Sequence, residues 1–315
     1  MKIEVEYKNH AGDINPLTFS MTRLAFAKHL GIAGQGYSPR PQKLIRVIAM
    51  YLHYSHYIQR NAFDGDHFSE PPIQLSDPTE KGQFSNLAGK AIADFLSKRI
   101  DQSIFTVNYE AAMRLKKMPV MGSRPDLLAY RHNNEVFAIE AKGYSEGCGD
   151  MAEHKAQSQQ GGIPVNFSIA CVSYNLYKEV RCNYHDPFNG DIQFDEWLFR
   201  ELTKKYYKGL SEFLNSEFFN YKEVQIQDET FYEVELFPRF FEEFLSDDLL
   251  FYCHYYFWHK IYCHYSPTLI LPVRIKEYAE AGLTSETSPF LFEEDEQNHN
   301  LYIDNDRVGL RIRQC

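Results

Sequence analysis

The chain has 315 residues, with 33 lysines and arginines against 43 aspartates and glutamates, giving a formal net charge of −10. No apolar run approaches the roughly 20 residues of a membrane-spanning helix, and Met1 to Glu6 lack the apolar core of a signal peptide, so a cytoplasmic protein with no membrane partner is expected. The six cysteines show no CxxC spacing and read as reduced thiols, which argues against a disulfide scaffold and against an iron–sulfur cluster.

In chain order, the pattern predicts a short initial strand and helices over residues 18–30 and 42–60. Between them, Gly31-Ile32-Ala33-Gly34-Gln35-Gly36 lacks the Gly-Lys-Ser/Thr ending of a phosphate-binding loop and reads as a flexible connection. Arg40, Lys43, Arg46, His53 and His56 read as helix-face residues, and 64–78, with Gly65 and Pro71-Pro72, as a linker closing a mainly helical region 1–79. Residues 84–100 carry Leu87, Ala91, Phe95 and Leu96 at helical spacing, with Ser85 or Asn86 as the expected cap. A β-branched and aromatic strand over 104–109 follows, then a basic connection, Arg114-Leu115-Lys116-Lys117.

Next come two apolar runs, Ser123-Arg124-Pro125-Asp126-Leu127-Leu128-Ala129-Tyr130 and Val136-Phe137-Ala138-Ile139-Glu140-Ala141-Lys142-Gly143, on either side of a polar turn. They read as an antiparallel hairpin. Opposed strand residues share a face, so Asp126 stands across from Glu140 only if the loop has an odd number of residues. The three residues His132, Asn133 and Asn134 satisfy this, and asparagine tolerates the left-handed conformation that such loops need. Glu140 and Lys142, two apart, share that face. Two neighbouring carboxylates repel unless a cation or a proton lies between them, and hard oxygen donors suit magnesium; an ammonium beside them can orient water or stabilise charge on a phosphate oxygen. After the hairpin, residues 151–160 predict a helix stopping at Gly161-Gly162, and 166–177 a strand.

The pair Pro125-Asp126 and Glu140-Ala141-Lys142 resembles the PD-(D/E)XK nuclease superfamily, the restriction-endonuclease-like fold, whose core runs helix, three antiparallel strands, helix, strand. Residues 80–185 follow that order. The resemblance implies that Asp126 and Glu140 bind Mg2+ (or Mn2+), that the backbone carbonyl of Ala141 is a further ligand, and that Lys142 assists the nucleophilic water. Many members add a glutamate on the first helix, where this chain has Asn86; Glu80 and Asp94 are candidate substitutes, Glu80 also reading as a cap or dipole partner and Asp94 as a solvated surface residue. One branch carries a glutamine followed four residues later by tyrosine on the second helix, whereas Gln157 here is followed by Gly161. His154, Lys155, Gln157 and Gln159 on that helix, with Arg124, Lys116 and Lys117, are candidate nucleic-acid contacts.

The acidic excess is local. Residues 211–250 hold eleven acids against Lys222 and Arg239, while 81–160 is slightly basic, so a phosphate-binding surface is compatible with an acidic total. Cys253-His254, His259 and Cys263-His264 are zinc-compatible in type but match no common zinc module, and their aromatic surroundings read as a buried helix. Residues 186–315 are expected to be a largely helical, aromatic-rich accessory region ending in a hairpin around Asn305-Asp306. The expected fold is thus α/β, a mixed sheet flanked by helices with N- and C-terminal additions. The expected activity is metal-dependent cleavage of nucleic acid, DNA before RNA, in restriction or phage defence, as a homodimer or with a partner protein. A catalytically inactive nucleic-acid-binding module is the alternative.

Overall fold

The computed structural model describes residues 1–34, 50, 54, 57–61, 65–70, 77–190, 192–214, 219–235, 267–284, 289–290 and 300–312. In chain order these form β1 (Lys2–Lys8), β2 (Ile14–Ser20), α1 (Arg23–Ile32), β3 (Ile58–Asn61), β4 (Gly65–Phe68), α2 (Pro78–Ile100), β5 (Ser103–Asn108), α3 (Tyr109–Leu115), β6 (Leu127–Arg131) and β7 (Val136–Gly143). There follow α4 (Met151–Ser158), β8 (Phe167–Tyr174), β9 (Arg181–Asn189), α5 (Glu196–Ser211), β10 (Tyr221–Ile226), β11 (Glu229–Glu235), β12 (Pro267–Pro272), α6 (Ile275–Ala281), β13 (Leu301–Ile303) and β14 (Gly309–Ile312).

The architecture is mixed α/β. A seven-stranded sheet has the order β2-β1-β9-β8-β7-β6-β5. β5, β6 and β7 form an antiparallel meander, whereas β8 lies parallel to β7. A parallel neighbour needs a crossover, and α4 supplies it. β9 runs antiparallel to β8, and β1 pairs with it in parallel, so the first strand of the chain sits inside the sheet rather than at its edge. The second sheet, β10-β11-β12-β14-β13, is antiparallel throughout.

α2 starts at Pro78, earlier than the apolar period suggested. Asp77 caps it by accepting from the N–H groups of Thr79 and Glu80, and its first turn is exposed and polar, so that turn gives no hydrophobic signal. Its middle presses on β7 through glycine. A Cβ on Gly89 would stand 2.5 Å from the backbone of Lys142 and Gly143, and one on Gly143 would stand 1.8 Å from Ser85 O. Gly89→Ala is therefore expected to force helix and strand apart and to destabilise the fold by about 1–3 kcal/mol, read as a lowered midpoint in urea unfolding.

One apolar core joins all three regions of the chain: Ile3, Leu24 and Phe26 share it with Phe95, Val107, Leu128 and Ile139, and with Leu202, Leu269 and Leu310. Within it lies a buried charge cluster. Lys28 Nζ donates to Asp306 Oδ2 (2.8 Å) and Asp304 Oδ2 (3.1 Å), and Lys98 Nζ to Asp306 Oδ2 (2.9 Å). His29 Nδ1 meets Asp94 Oδ2 at 2.6 Å, Thr106 donates to Asp94 Oδ1 at 2.7 Å, and Tyr206 donates to Asp306 Oδ2 at 2.5 Å. The turn between β13 and β14 is thereby clamped to α1 and α2.

Several expectations need correction. Asp94 is not a solvated surface residue; it is buried because His29 and Thr106, from outside its own helix, satisfy it. Beyond α5 the described C-terminal part is mainly sheet: polar residues such as Glu223 and Gln225 alternate with Val224 and Ile226, a period-2 pattern that acidic content hid. Among the described residues of the N-terminal region, β2 occupies 14–20, and 58–61 and 65–68 form the hairpin of β3 and β4 where a helix end and the start of a linker were expected. Of the glycine loop, Gly31 and Ile32 belong to α1, and Gly34, at φ +65°, donates its N–H to Thr106 Oγ1 at 3.3 Å, while Gln35 and Gly36 lie outside the described residues. The basic connection begins in the last turn of α3, which Asn108 caps, so Tyr109 starts a helix rather than ending a strand. Residues 42–49, His53, His56, Arg40, the linker 71–76, residues 236–250 of the acidic segment and the Cys253–His264 cluster lie outside the described residues. Among those described, no helix is long and apolar enough to cross a membrane.

Candidate active site

The β6–β7 ladder pairs Leu127 with Ile139, Leu128 with Ala138, Ala129 with Phe137 and Tyr130 with Val136. It closes through Arg131 N–H to Glu135 O at 2.9 Å, around the loop of His132, Asn133 and Asn134, with Asn134 at φ +62°. This is the register the loop length predicts, and one further step sets Asp126 beside Glu140. Asp126 stands just outside the ladder. Its N–H donates to Ile139 O (3.0 Å) and its carbonyl accepts from Tyr109 N–H (3.1 Å), which pins it at the strand's entry.

The three predicted side chains converge. Asp126 Oδ2 accepts from Ala141 N–H at 3.0 Å and lies 3.7 Å from Lys142 Nζ, while the Lys142 ammonium rests against Glu140 Oε1. Glu140 is fully buried, and although the ammonium is close, neither of its oxygens receives a hydrogen bond of aligned geometry. Burial, and then the negative charge of Asp126, push its carboxyl up to about 8 despite Lys142. The ammonium of Lys142 is in turn held above its ordinary value, because Glu140 and Asp126 outweigh its desolvation.

Glu140's folded-state value exceeds its ordinary 4.5, so its contribution to stability is complete below about 4.5 and is lost as pH rises to about 8. Without added cation, the thermal midpoint is expected to fall across that window. Glu140→Gln should flatten the slope, which reaches at most about 1.4 kcal/mol per pH unit, and melts at pH 5 to 8 measure it.

Beside Asp126 opens a polar cleft of about 290 Å³ lined by Asn108, Glu110, Gly122, Ser123, Arg124, Pro125, Asp126 and Gln157. Arg124 and Gln157 are thus placed at the site, and Gln157 Nε2 donates to Arg124 O at 3.1 Å. Arg124 is already paired, its Nη2 reaching Glu110 Oε2 at 2.5 Å, and Lys116 is bound to Asp195 Oδ2 at 2.5 Å. Lys117 is exposed just past α3, while Lys155 sits half-buried on α4, its charge adding to the burial that holds His185 below its ordinary value. Glu110, which no sequence motif marks, also lines the cleft, and Arg114 and Arg124 hold its carboxyl below the ordinary range. Tyr144 and His154, hydrogen-bonded at 3.1 Å, flank Lys142; Tyr144 continues the every-second-residue row, a signal present in the sequence.

Two carboxylates, one of them buried with both oxygens short of donors, fit a hard divalent cation. Neither Glu80, exposed in the first turn of α2, nor Asp94, satisfied in the buried cluster, adds a third carboxylate; among the described residues no group of three His, Cys, Asp or Glu assembles. In comparisons with known proteins, the chain matches no family model, no curated protein and no solved structure.

Proposed function

We propose that the protein is a metal-dependent nuclease of the PD-(D/E)XK type, acting on DNA. The observation that carries this reading is the convergence of Asp126, Glu140 and Lys142 at the end of one hairpin, beside an open polar cleft. The order α2, β5, β6, β7, α4, β8, with the short α3 inserted between β5 and β6 and with β8 parallel to β7, supports a restriction-endonuclease-like core.

Asp126, Glu140 and the Ala141 carbonyl would hold Mg2+ or Mn2+, which when bound supplies an acidified water and neutralises phosphate charge. Lys142 orients the attacking water or stabilises the negative charge that develops on the phosphate oxygen. Arg124 and Gln157 line the approach. Cutting both strands of a duplex needs two such sites, hence a homodimer or a partner protein, and restriction or phage defence is the biological setting proposed.

The test is a substrate panel of supercoiled and linear duplex, single-stranded DNA and RNA, with Mg2+ or Mn2+. Cleavage of DNA that disappears in Asp126→Asn is expected, and cleavage of RNA alone would move the reading to RNA processing. That no third carboxylate joins Asp126 and Glu140 among the described residues favours one other reading, a non-catalytic nucleic-acid-binding module. Nucleic-acid binding that ignores metal and survives Asp126→Asn, with no cleavage, would establish that alternative and end the nuclease reading.

A further inference from the structure

Glu140, Lys142 and Tyr144 occupy alternate positions, so strand geometry delivers them in a row to one face of the sheet. Tyr144 N–H donates to Ser173 O at 2.8 Å, which carries the β7–β8 pairing past Gly143 and keeps Tyr144 in that row. Its hydroxyl meets His154 Nε2 at 3.1 Å, and His154 is buried on α4, whose N-terminus Asp150 caps. Gly149, at φ +63°, closes over the pair: a Cβ there would stand 3.1 Å from His154 Nε2 and 3.2 Å from Tyr144 Oη.

Burial, reinforced by the Lys142 charge, holds His154 below its ordinary range, so near neutral pH its ring is uncharged and Nε2 can accept. In the tautomer with its proton on Nδ1, the Tyr144 hydroxyl donates to Nε2, and the tyrosine proton is committed to histidine. What the hydroxyl still has to offer is lone-pair density, which suits an ammonium and not another acceptor. Lys142 needs such a group. In the present arrangement it lies on Glu140 Oε1, one of the oxygens that a cation between the carboxylates would take, and two cations at that spacing repel.

We infer that the Tyr144–His154 pair is a positioning device for Lys142, receiving its ammonium when a divalent cation claims Asp126 and Glu140. The inference rests on the cation-binding part of the proposed function. In this scheme Lys142 occupies two stations along one face, Glu140 without the cation and Tyr144 with it, and the hydrogen bond to His154 keeps the second station ready.

The test uses Mn2+ alone, by calorimetric titration of the full chain, and needs no substrate. Tyr144→Phe, which removes one oxygen, is expected to weaken Mn2+ binding roughly three- to tenfold, because the ammonium then competes for Glu140 without an alternative. In a Lys142→Met background the same change is expected to have no effect. Equal affinity of wild type and Tyr144→Phe, or an undiminished loss in the Lys142→Met background, overturns the inference. Wild type that binds no Mn2+, or whose binding survives Asp126→Asn, overturns the reading of the site itself and the inference with it.

Discussion

Lys142→Ala is expected to slow cleavage by about a hundred- to ten-thousandfold while leaving divalent-cation binding intact. The magnitude is that of removing a group that orients the nucleophile or stabilises developing charge. The separation of rate from binding follows from the geometry. Lys142 touches the carboxylates as a counter-charge, and it competes with a metal for Glu140 Oε1 rather than helping to hold it. Its loss should therefore leave the affinity for Mn2+ unchanged or tighter at pH 8, where a Glu140 that has lost its ammonium still gives up its proton to an incoming cation. Asp126→Asn should behave differently, losing cation binding and cleavage together, since it removes a charged ligand while keeping the shape that accepts Ala141 N–H. Single-turnover rates and calorimetry on the two variants check the contrast; a Lys142→Ala enzyme that cuts at the wild-type rate would remove lysine from the chemistry.

The second large effect concerns stability. Asp306→Ala is expected to cost about 3–5 kcal/mol, because it strips the buried ammonium groups of Lys28 and Lys98 of their shared acceptor and leaves the Tyr206 hydroxyl without one. Asp304 holds only part of that charge: its Oδ2 lies 3.1 Å from Lys28 Nζ and 3.3 Å from Lys98 Nζ. Lys28→Met in the Asp306→Ala background should recover part of the loss, since an apolar side chain tolerates burial where an unpaired ammonium does not. Denaturant unfolding of the single and double variants measures this. Asp306→Ala within 1 kcal/mol of wild type, on the order of a surface substitution, would show that the cluster is not the clamp described.

Local grammar makes the candidate site legible in the sequence. The odd loop of His132, Asn133 and Asn134 set the register, and period-2 alternation put Glu140 and Lys142 on one face. The parts that escaped depend on partners distant in sequence. Asp94 on a helix surface and Asp94 beside His29 and Thr106 have the same local sequence, and nothing around it announces the second case. Glu110 has the local sequence of an ordinary helix acid, and only the folded chain brings Arg124 to it. The C-terminal sheet was hidden for another reason: Glu233, facing inward to Thr268 Oγ1 at 2.8 Å, breaks the apolar alternation that would have marked β11 as a strand.

The place of β1 also bears on how quickly the chain reaches its native state. This strand pairs with β9, so that Glu6 and His185, 179 positions apart, come to lie side by side, and the Lys28–Asp306 bond spans 278 positions. During synthesis the first strand must wait for most of the chain to emerge before its parallel partner exists, whereas the β6–β7 hairpin can form at once. Contacts so distant in sequence carry a heavy loop-closure cost, and refolding on a timescale of milliseconds to seconds or longer follows, with the hairpin that bears Asp126 and Glu140 assembled well before the sheet around it is complete.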